Sequence, residues 1–134
     1  MQHVTVQPDC VRFEAPFDVA RTAIVRMRND SSQRLAFKVK RTHLHRFSAR
    51  PTYGFLEASG GRAVVQLKCR PFNESKGLSK RDRFSVHLLP APLHYSNAST
   101  VWKTSVGLTD TARCNLPVTY EVLVLYDALQ ACNN

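Results

Sequence analysis

Few residues of the sequence have the types and spacing that metal binding requires. His43 and His45 are one residue apart, so both imidazoles would share one face of a β-strand and could reach one ion. Two ligands do not make a site, and no Cys or carboxylate lies near them, so we interpret the pair as polar residues of a basic loop. None of the four cysteines forms a C-x-x-C pair: Cys10, Cys69, Cys114 and Cys132. We therefore predict no metal site and no cofactor.

Sequence signatures of enzymes are also missing. The chain contains no G-x-S-x-G, no Walker loop, no dinucleotide-binding glycine fingerprint and no H-E-x-x-H. The ten acidic residues are scattered, mostly at predicted turns, so no spacing suggests paired carboxylates for acid–base chemistry. We predict that the protein is not an enzyme and has no catalytic residues.

Basic residues are the most informative chemical feature. The 134 residues include 19 Lys and Arg against 10 Asp and Glu, which gives a net charge of +9. Two clusters stand out: Lys38, Lys40, Arg41, Arg46 and Arg50 without an intervening acid, and Lys76, Lys80, Arg81 and Arg83, interrupted by Asp82. Such clusters attract acidic peptides, phosphate, lipid headgroups or nucleic acid. Because the sequence has no RNP-like pattern, we do not expect nucleic acid to be the partner.

The elements that position these residues alternate between apolar and polar with a period of two, which is typical of β-strands. About seven or eight short strands predict an all-β sandwich in a single domain. The runs are His3–Val6, Cys10–Phe13, Ala20–Met27, Leu35–Lys40, Phe47–Arg50, Ala63–Cys69, Arg83–Leu89 and Arg113–Leu125. Helical turns are predicted only at residues 73–79 and 128–132. The predicted core is Val25, Met27, Phe37, Val39, Val65, Leu67, Phe84, Val86 and Trp102.

A family resemblance rests on several stretches that occur in the family's order. The central ones are Phe37–Thr42, Arg46–Pro51 with Gly54, and Asp82–Val86. The others are Val11–Phe13 with Pro16 and Phe17, Arg28–Ser31, Arg70–Phe72, Val101–Lys103 and Asn115–Tyr120. Together they resemble the major sperm protein (MSP) domain, which occurs in nematode sperm cytoskeletal proteins and in the VAP proteins of endoplasmic reticulum contact sites. The resemblance implies a seven-stranded immunoglobulin-like β-sandwich with a core at about residues 4–122 and a short extension at 123–134.

The VAP branch of this family implies a peptide-binding site. Its basic face binds FFAT motifs, which are short acidic tracts that carry two phenylalanines. Carried over by position, the site comprises Lys38, Lys40, Arg41, Thr42, Arg83, Phe84 and Ser85. Ser85 replaces a methionine that packs on the ligand in VAP proteins, and Arg41 replaces a threonine. Both differences favour more acidic or phosphorylated peptides.

The nematode branch implies a different function. Its proteins dimerise and assemble into filaments for sperm motility, and strand edges near Val4–Val6 or Val118–Leu125 would supply such contacts. Since no apolar run approaches the length of a membrane span, we expect no direct membrane insertion. We expect a cytoplasmic protein, on the cytoskeleton or recruited by partners to endoplasmic reticulum contact sites. In that compartment the cysteines would be reduced, and the N-x-S sequons at Asn29, Asn73 and Asn97 would be unused.

Overall fold

Two β-sheets packed face to face form the structure, a computed structural model that describes residues 3–74, 78–104 and 112–121. In chain order, the strands are β1 (Val4–Gln7), β2 (Val11–Glu14), β3 (Arg21–Asn29), β4 (Leu35–Arg41), β5 (Phe47–Arg50), β6 (Tyr53–Leu56), β7 (Gly61–Cys69), β8 (Arg83–Pro90) and β9 (Ala112–Glu121). One helix, α1 (Ala98–Thr104), lies between β8 and β9 in the sequence. The predicted all-β class is confirmed.

The sheets contain four and five strands. The first has the order β1-β3-β7-β5 and the second the order β2-β9-β8-β4-β6. All neighbours are antiparallel except β2 and β9, which run parallel. The immunoglobulin-like sandwich is therefore confirmed, although the described residues contain nine strands where the pattern predicted about seven or eight and the resemblance implied seven.

The strand that the alternation pattern missed is β6. It has only four residues and contains Gly54, which is a poor strand former. Glycine is needed there because a Cβ at position 54 would overlap the ring of Phe37 on the neighbouring strand β4. Because close packing requires glycine at this position, the sequence there lacks a side chain that would have shown the alternation of a strand.

The main core lies between the sheets and contains eight of the nine predicted residues. Phe84 stands at its centre, with its ring centroid 5.0 Å from that of Phe47 and 6.5 Å from that of Phe13. Burial raises the pKa of the Cys69 thiol to about 11, which keeps it neutral in this apolar setting. Trp102, the ninth predicted residue, was assigned wrongly, since it is half-buried beside a smaller cluster outside the sandwich.

That smaller cluster forms where α1 covers one end of the five-stranded sheet. Val101 packs there with Ala36 of β4 and Leu89 of β8. Asn97 caps the helix, since its side-chain oxygen accepts a hydrogen bond from the Ser99 amide at 2.9 Å. The helix was not predicted because seven residues are too few to show a helical stripe. Of the predicted turns, 128–132 lies outside the described residues, and 73–79 is described only in part, without an α-helix.

A buried polar cluster ties the two sheets together at the opposite end. Asp82, which precedes β8, accepts a hydrogen bond of 2.6 Å from the hydroxyl of Tyr120 on β9. Arg46, which precedes β5, places Nη1 at 3.5 Å from Asp82 Oδ2 and donates to the Tyr120 oxygen at 3.1 Å. Its guanidinium also stacks at 3.8 Å over the ring of Phe72. Burial and the hydrogen bond to Asp82 raise the pKa of Tyr120.

Replacing Asp82 tests the importance of this cluster. Arg46 and Asp82 are 9% and 8% exposed, so Asp82→Asn leaves a buried guanidinium without its counter-charge. We expect the free energy of unfolding to fall by about 3 kcal/mol. Urea denaturation followed by the fluorescence of Trp102, the single tryptophan, measures the loss.

The matched control is Asp30→Asn. Asp30 pairs with Arg28 at 2.7 Å, but the two side chains are 45% and 50% exposed, so its removal should cost about 0.5 kcal/mol or less. Equal losses in the two variants would contradict the assigned role of the buried cluster.

Candidate functional site

Strands β4 and β8 lie side by side in the five-stranded sheet and present a basic outer face. Because side chains alternate across a strand, residues paired in the antiparallel register point to the same side. Lys38 pairs with His87, and Lys40 pairs with Ser85. Strand β9 continues these rows, since Arg113 pairs with His87 and Asn115 with Ser85. We call the resulting surface the β4–β8 face; it consists of Lys38, Lys40, Arg83, Ser85, His87, Arg113 and Asn115.

Charge on the β4–β8 face is positive throughout, because β4 and β8 contain no acidic residue. Lys38 is half-buried, and its ammonium lies 5.6 Å from the ring centroid of Tyr53, its neighbour on β6. Lys40 and Arg83 are exposed. The face therefore combines accessible cations with one aromatic ring at its border, which is the chemistry that an acidic segment with an aromatic anchor requires.

Ser85 and His87 form the neutral centre of this face. Ser85 is only 9% exposed, and its Oγ lies 3.1 Å from Nε2 of His87. Partial burial lowers the pKa of His87, and the nearby charges of Lys40, Arg113 and Lys38 lower it further. An anion bound on the face would oppose this effect by stabilising the protonated imidazole.

Hydrogen bonds at Thr42 fix the end of the face. The Thr42 amide donates to the Arg83 carbonyl at 3.1 Å, and the Arg83 amide donates to the Thr42 hydroxyl oxygen at 3.1 Å. Asp82 Oδ1 lies 3.5 Å from the same hydroxyl. Thr42 thus connects the buried polar cluster to the first residue of β8, and it places Arg83 near Lys40.

Five of the seven predicted site residues lie together as the resemblance implied. Lys38, Lys40, Arg83 and Ser85 share the outer face, and Thr42 borders it. Arg41 and Phe84 do not join them, since both occupy the opposite phase of their strands and pair with each other. Phe84 is fully buried in the core, as the predicted core has it, so its place among the peptide contacts is corrected. Arg41 is half-buried, and its Nε has no hydrogen-bond partner within the described residues.

Three residues of the face were missed at the level of sequence: His87, Arg113 and Asn115. His87 lies two residues after Ser85 on the same strand, so the alternation of side chains could have placed it on the same face. Arg113 and Asn115 reach the face only through the pairing of β8 with β9, which spacing does not reveal. In the second basic cluster, Lys80 and Arg81 are exposed before β8, and Lys76 lies outside the described residues.

The other residues that were considered as metal ligands or reactive groups lie outside the β4–β8 face. His43 and His45 are exposed in the turn after β4. Within residues 3–74, 78–104 and 112–121, no three His, Cys, Asp or Glu side chains are grouped as metal ligands would be. The described part of the chain contains no helix of the length and apolarity that crossing a bilayer requires. Cys10, Cys69 and Cys114 are free thiols.

Comparison with known proteins identifies relatives in sequence. The family model of the MSP (Major sperm protein) domain matches residues 3–106. Human vesicle-associated membrane protein-associated protein A is 30% identical over 96 residues, which cover 72% of this chain and 38% of the relative. The vesicle-associated membrane protein/synaptobrevin-binding protein of Aplysia californica is 33% identical over 108 residues, which cover 78% of this chain and 41% of the relative. The chain therefore spans only 38% to 41% of the length of these two relatives.

Solved structures support the same fold. WR4, a C. elegans MSP family member, superposes with a TM-score of 0.70 at 20% identity and covers 88% of this chain and 97% of its own. SSP-19, an MSP-domain protein like family member in Caenorhabditis elegans, gives a TM-score of 0.66 at 20% identity and covers 86% and 98%. At this identity the likeness shows the fold alone.

The lowered pKa of His87 predicts how stability depends on pH. The unfolded chain protonates His87 near the ordinary pKa of 6.5, whereas the folded chain takes up this proton only at lower pH. Stability is therefore complete above pH 6.5 and falls as the pH drops toward the folded pKa. We expect His87→Gln to lose less stability than the wild type between neutral and mildly acidic pH.

Urea denaturation at a series of pH values measures this difference. His45→Gln, a change at an exposed histidine, is the control and should follow the wild type. A pH dependence that is the same with and without His87 would contradict the assignment.

Proposed function

Since the chain belongs to the MSP (major sperm protein) domain family, we propose that it is a non-enzymatic interaction module whose β4–β8 face binds short acidic, FFAT-like peptide segments of partner proteins. The observation that carries the proposal is the placement of Lys38, Lys40 and Arg83 on one face of two strands without any acid. Complementary charge steers an acidic partner to such a face and selects against basic ones.

Shape and apolar contact complete the proposed site. The ring beside the cations is that of Tyr53, whose centroid lies 5.6 Å from the Lys38 ammonium. The half-buried Trp102 of α1 packs against the cluster that contains Ala36 and Leu89. An extended peptide lying across β4 and β8 would reach the cations with its acidic side chains and the Tyr53 ring with an aromatic side chain. Such a peptide would bind without a deep cavity, as short linear motifs do.

Ser85 sets the balance between charge and apolar contact in this proposal. A methionine there would offer a flexible thioether, whereas Ser85 is nearly buried and its hydroxyl is engaged with His87. The missing thioether contact is worth about 1 kcal/mol. The proposed ligand therefore relies more on charge, and we expect strongly acidic or phosphorylated segments. Such partners would recruit the chain from the cytoplasm to endoplasmic reticulum contact sites or to the cytoskeleton.

Charge reversal on the β4–β8 face tests the proposal. Lys38→Asp combined with Arg83→Asp should weaken binding of a synthetic acidic FFAT-like peptide by about 30-fold or more, since two attractive charges become repulsive. Isothermal titration calorimetry measures the affinity, and thermal unfolding confirms that the variant folds.

The control is Arg26→Asp combined with Arg62→Asp on the other sheet, where both side chains are exposed. This variant changes the net charge by the same amount and should bind the peptide nearly as well as the wild type. Equal weakening in both variants, or none in the first, would remove the proposal.

Self-assembly is the second candidate function, and one observation favours it. Among the residues that the structure describes, strand β1 is an edge of the four-stranded sheet and pairs only with β3. Its other side would offer backbone groups for pairing with a second copy. The other expected edge stays a prediction: over its described part it pairs with β2 on one side, while β8 pairs with β9 only as far as Pro117. Residues 122–125 lie outside the described residues.

Light scattering over a range of protein concentrations tests self-assembly. If β1 joins copies, the mean mass should rise with concentration, and Thr5→Lys at the edge should reverse the rise, because an edge lysine opposes strand pairing. Thr22→Lys, a change at an exposed position of the interior strand β3, is the control. A mass that stays monomeric at every concentration would exclude assembly by this chain alone.

A further inference from the structure

The outer face of the four-stranded sheet carries a second basic surface that the proposed function does not use. We call it the β3–β7 face and define it by Ile24, Arg26 and Arg28 of β3 and Arg62, Val64 and Lys68 of β7, all exposed. None of the four strands of this sheet contains an acidic residue. The β3–β7 face and the β4–β8 face lie on opposite sides of the sandwich.

Like charges meet directly on the β3–β7 face. Arg28 pairs with Arg62 across the two strands, and Arg26 pairs with Val64 in the adjacent row. Like charges opposite each other destabilise a sheet, so this arrangement costs stability while no anion is bound. Asp30 offsets part of it, because one carboxylate oxygen lies 2.7 Å from Arg28 Nε. Arg26 and Arg62 have no such counter-charge among the described residues.

These arginines also border a shallow cavity of about 470 Å³. Arg26, Arg28 and Arg62 line it together with Thr5 and Gln7 of β1 and with Asp30, the partner of Arg28. Because Asp30 engages Arg28, the main donors to a phosphate at this depression are the guanidinium groups of Arg26 and Arg62, which bind phosphate in a planar, two-pronged geometry.

Apolar side chains stand among these cations. Ile24 and Val64 are 47% and 51% exposed and are diagonal neighbours in the register of β3 and β7. Val64 also lines the cavity that the arginines border, and the four strands present no aromatic ring on this side. Cations around a small aliphatic centre match the interface of a lipid bilayer, where phosphates lie above the boundary of the acyl chains.

We propose that the β3–β7 face docks on membranes that contain anionic lipids. The arginines contact lipid phosphates, and Ile24 and Val64 contact the boundary between headgroups and acyl chains. A second copy of this chain fits the same face poorly, because two such faces would bring arginines together. An acidic peptide fits less well than a membrane, because the strands of this sheet present no aromatic ring to an anchoring side chain, whereas the exposed Ile24 and Val64 match the acyl boundary.

Flotation of the protein with lipid vesicles tests the proposal. Wild type should bind vesicles of phosphatidylcholine with phosphatidylserine and should not bind phosphatidylcholine alone. Each basic residue at an anionic surface contributes about fivefold in affinity, so Arg26→Asp with Arg62→Asp should reduce binding by about 25-fold or more. Ile24→Thr with Val64→Thr should also reduce binding, although it changes no charge.

The matched control is Lys38→Asp with Arg83→Asp, which changes the net charge equally but on the β4–β8 face. It should bind the vesicles nearly as well as the wild type. The proposal is overturned if this control loses binding to the same extent, because the effect would then reflect net charge alone.

Two further outcomes would also overturn the proposal. One is wild-type binding that survives Arg26→Asp with Arg62→Asp in a variant whose thermal unfolding matches the wild type. The other is binding of duplex DNA that depends on Arg26 and Arg62 while anionic vesicles remain unbound, which would identify nucleic acid as the ligand of this face.

Discussion

The buried ion pair between Arg46 and Asp82, closed by the Tyr120 hydroxyl, is the constraint on which the rest of the structure depends. Arg46 precedes β5 of the four-stranded sheet, whereas Asp82 precedes β8 and Tyr120 belongs to β9 of the five-stranded sheet. The side chains therefore join the two sheets, and separating them would leave a buried charge without its partner. Backbone hydrogen bonds hold each partner within its own sheet, since the Asp82 carbonyl accepts from the Val118 amide of β9 and the Arg46 carbonyl from the Arg70 amide that follows β7. Asp82 Oδ1 also lies 3.5 Å from the Thr42 hydroxyl, so the ion pair adjoins the hydrogen bonds that join the end of β4 to the start of β8 and of the β4–β8 face.

Most of the fold could be predicted from the sequence because its strands alternate cleanly. Eight of the nine strands coincide with alternating runs, and eight of the nine predicted core residues lie between the sheets. The exceptions have local physical reasons. Strand β6 lacks a clear alternating pattern because it contains Gly54, which the close approach of the Phe37 ring requires. Helix α1 has no helical sequence pattern and is stabilised instead by the Asn97 cap and by its contact with Ala36.

The residues of the candidate site could be predicted where they alternate along one strand, but not where the pairing register of two strands brings them together. Alternation brings Lys38 and Lys40 to one face, and the family resemblance supplied Arg83 and Ser85. Arg113 joins them only through the pairing of β8 with β9. The β3–β7 face shows the same limit: its arginines are far apart in the sequence, so clusters of consecutive charges do not reveal it. The two faces together hold eight of the 19 Lys and Arg residues of the chain.

The back-to-back placement of these two surfaces keeps their charges apart. Packed sheets are separated by about 10 Å, and the cations project outward from both of them, so the two charged surfaces lie farther apart than the screening length of about 8 Å at physiological salt. A ligand bound on one side would therefore leave the potential on the other nearly unchanged. A chain that used both faces would hold an acidic segment on one side and an anionic surface on the other at the same time, and would link the two.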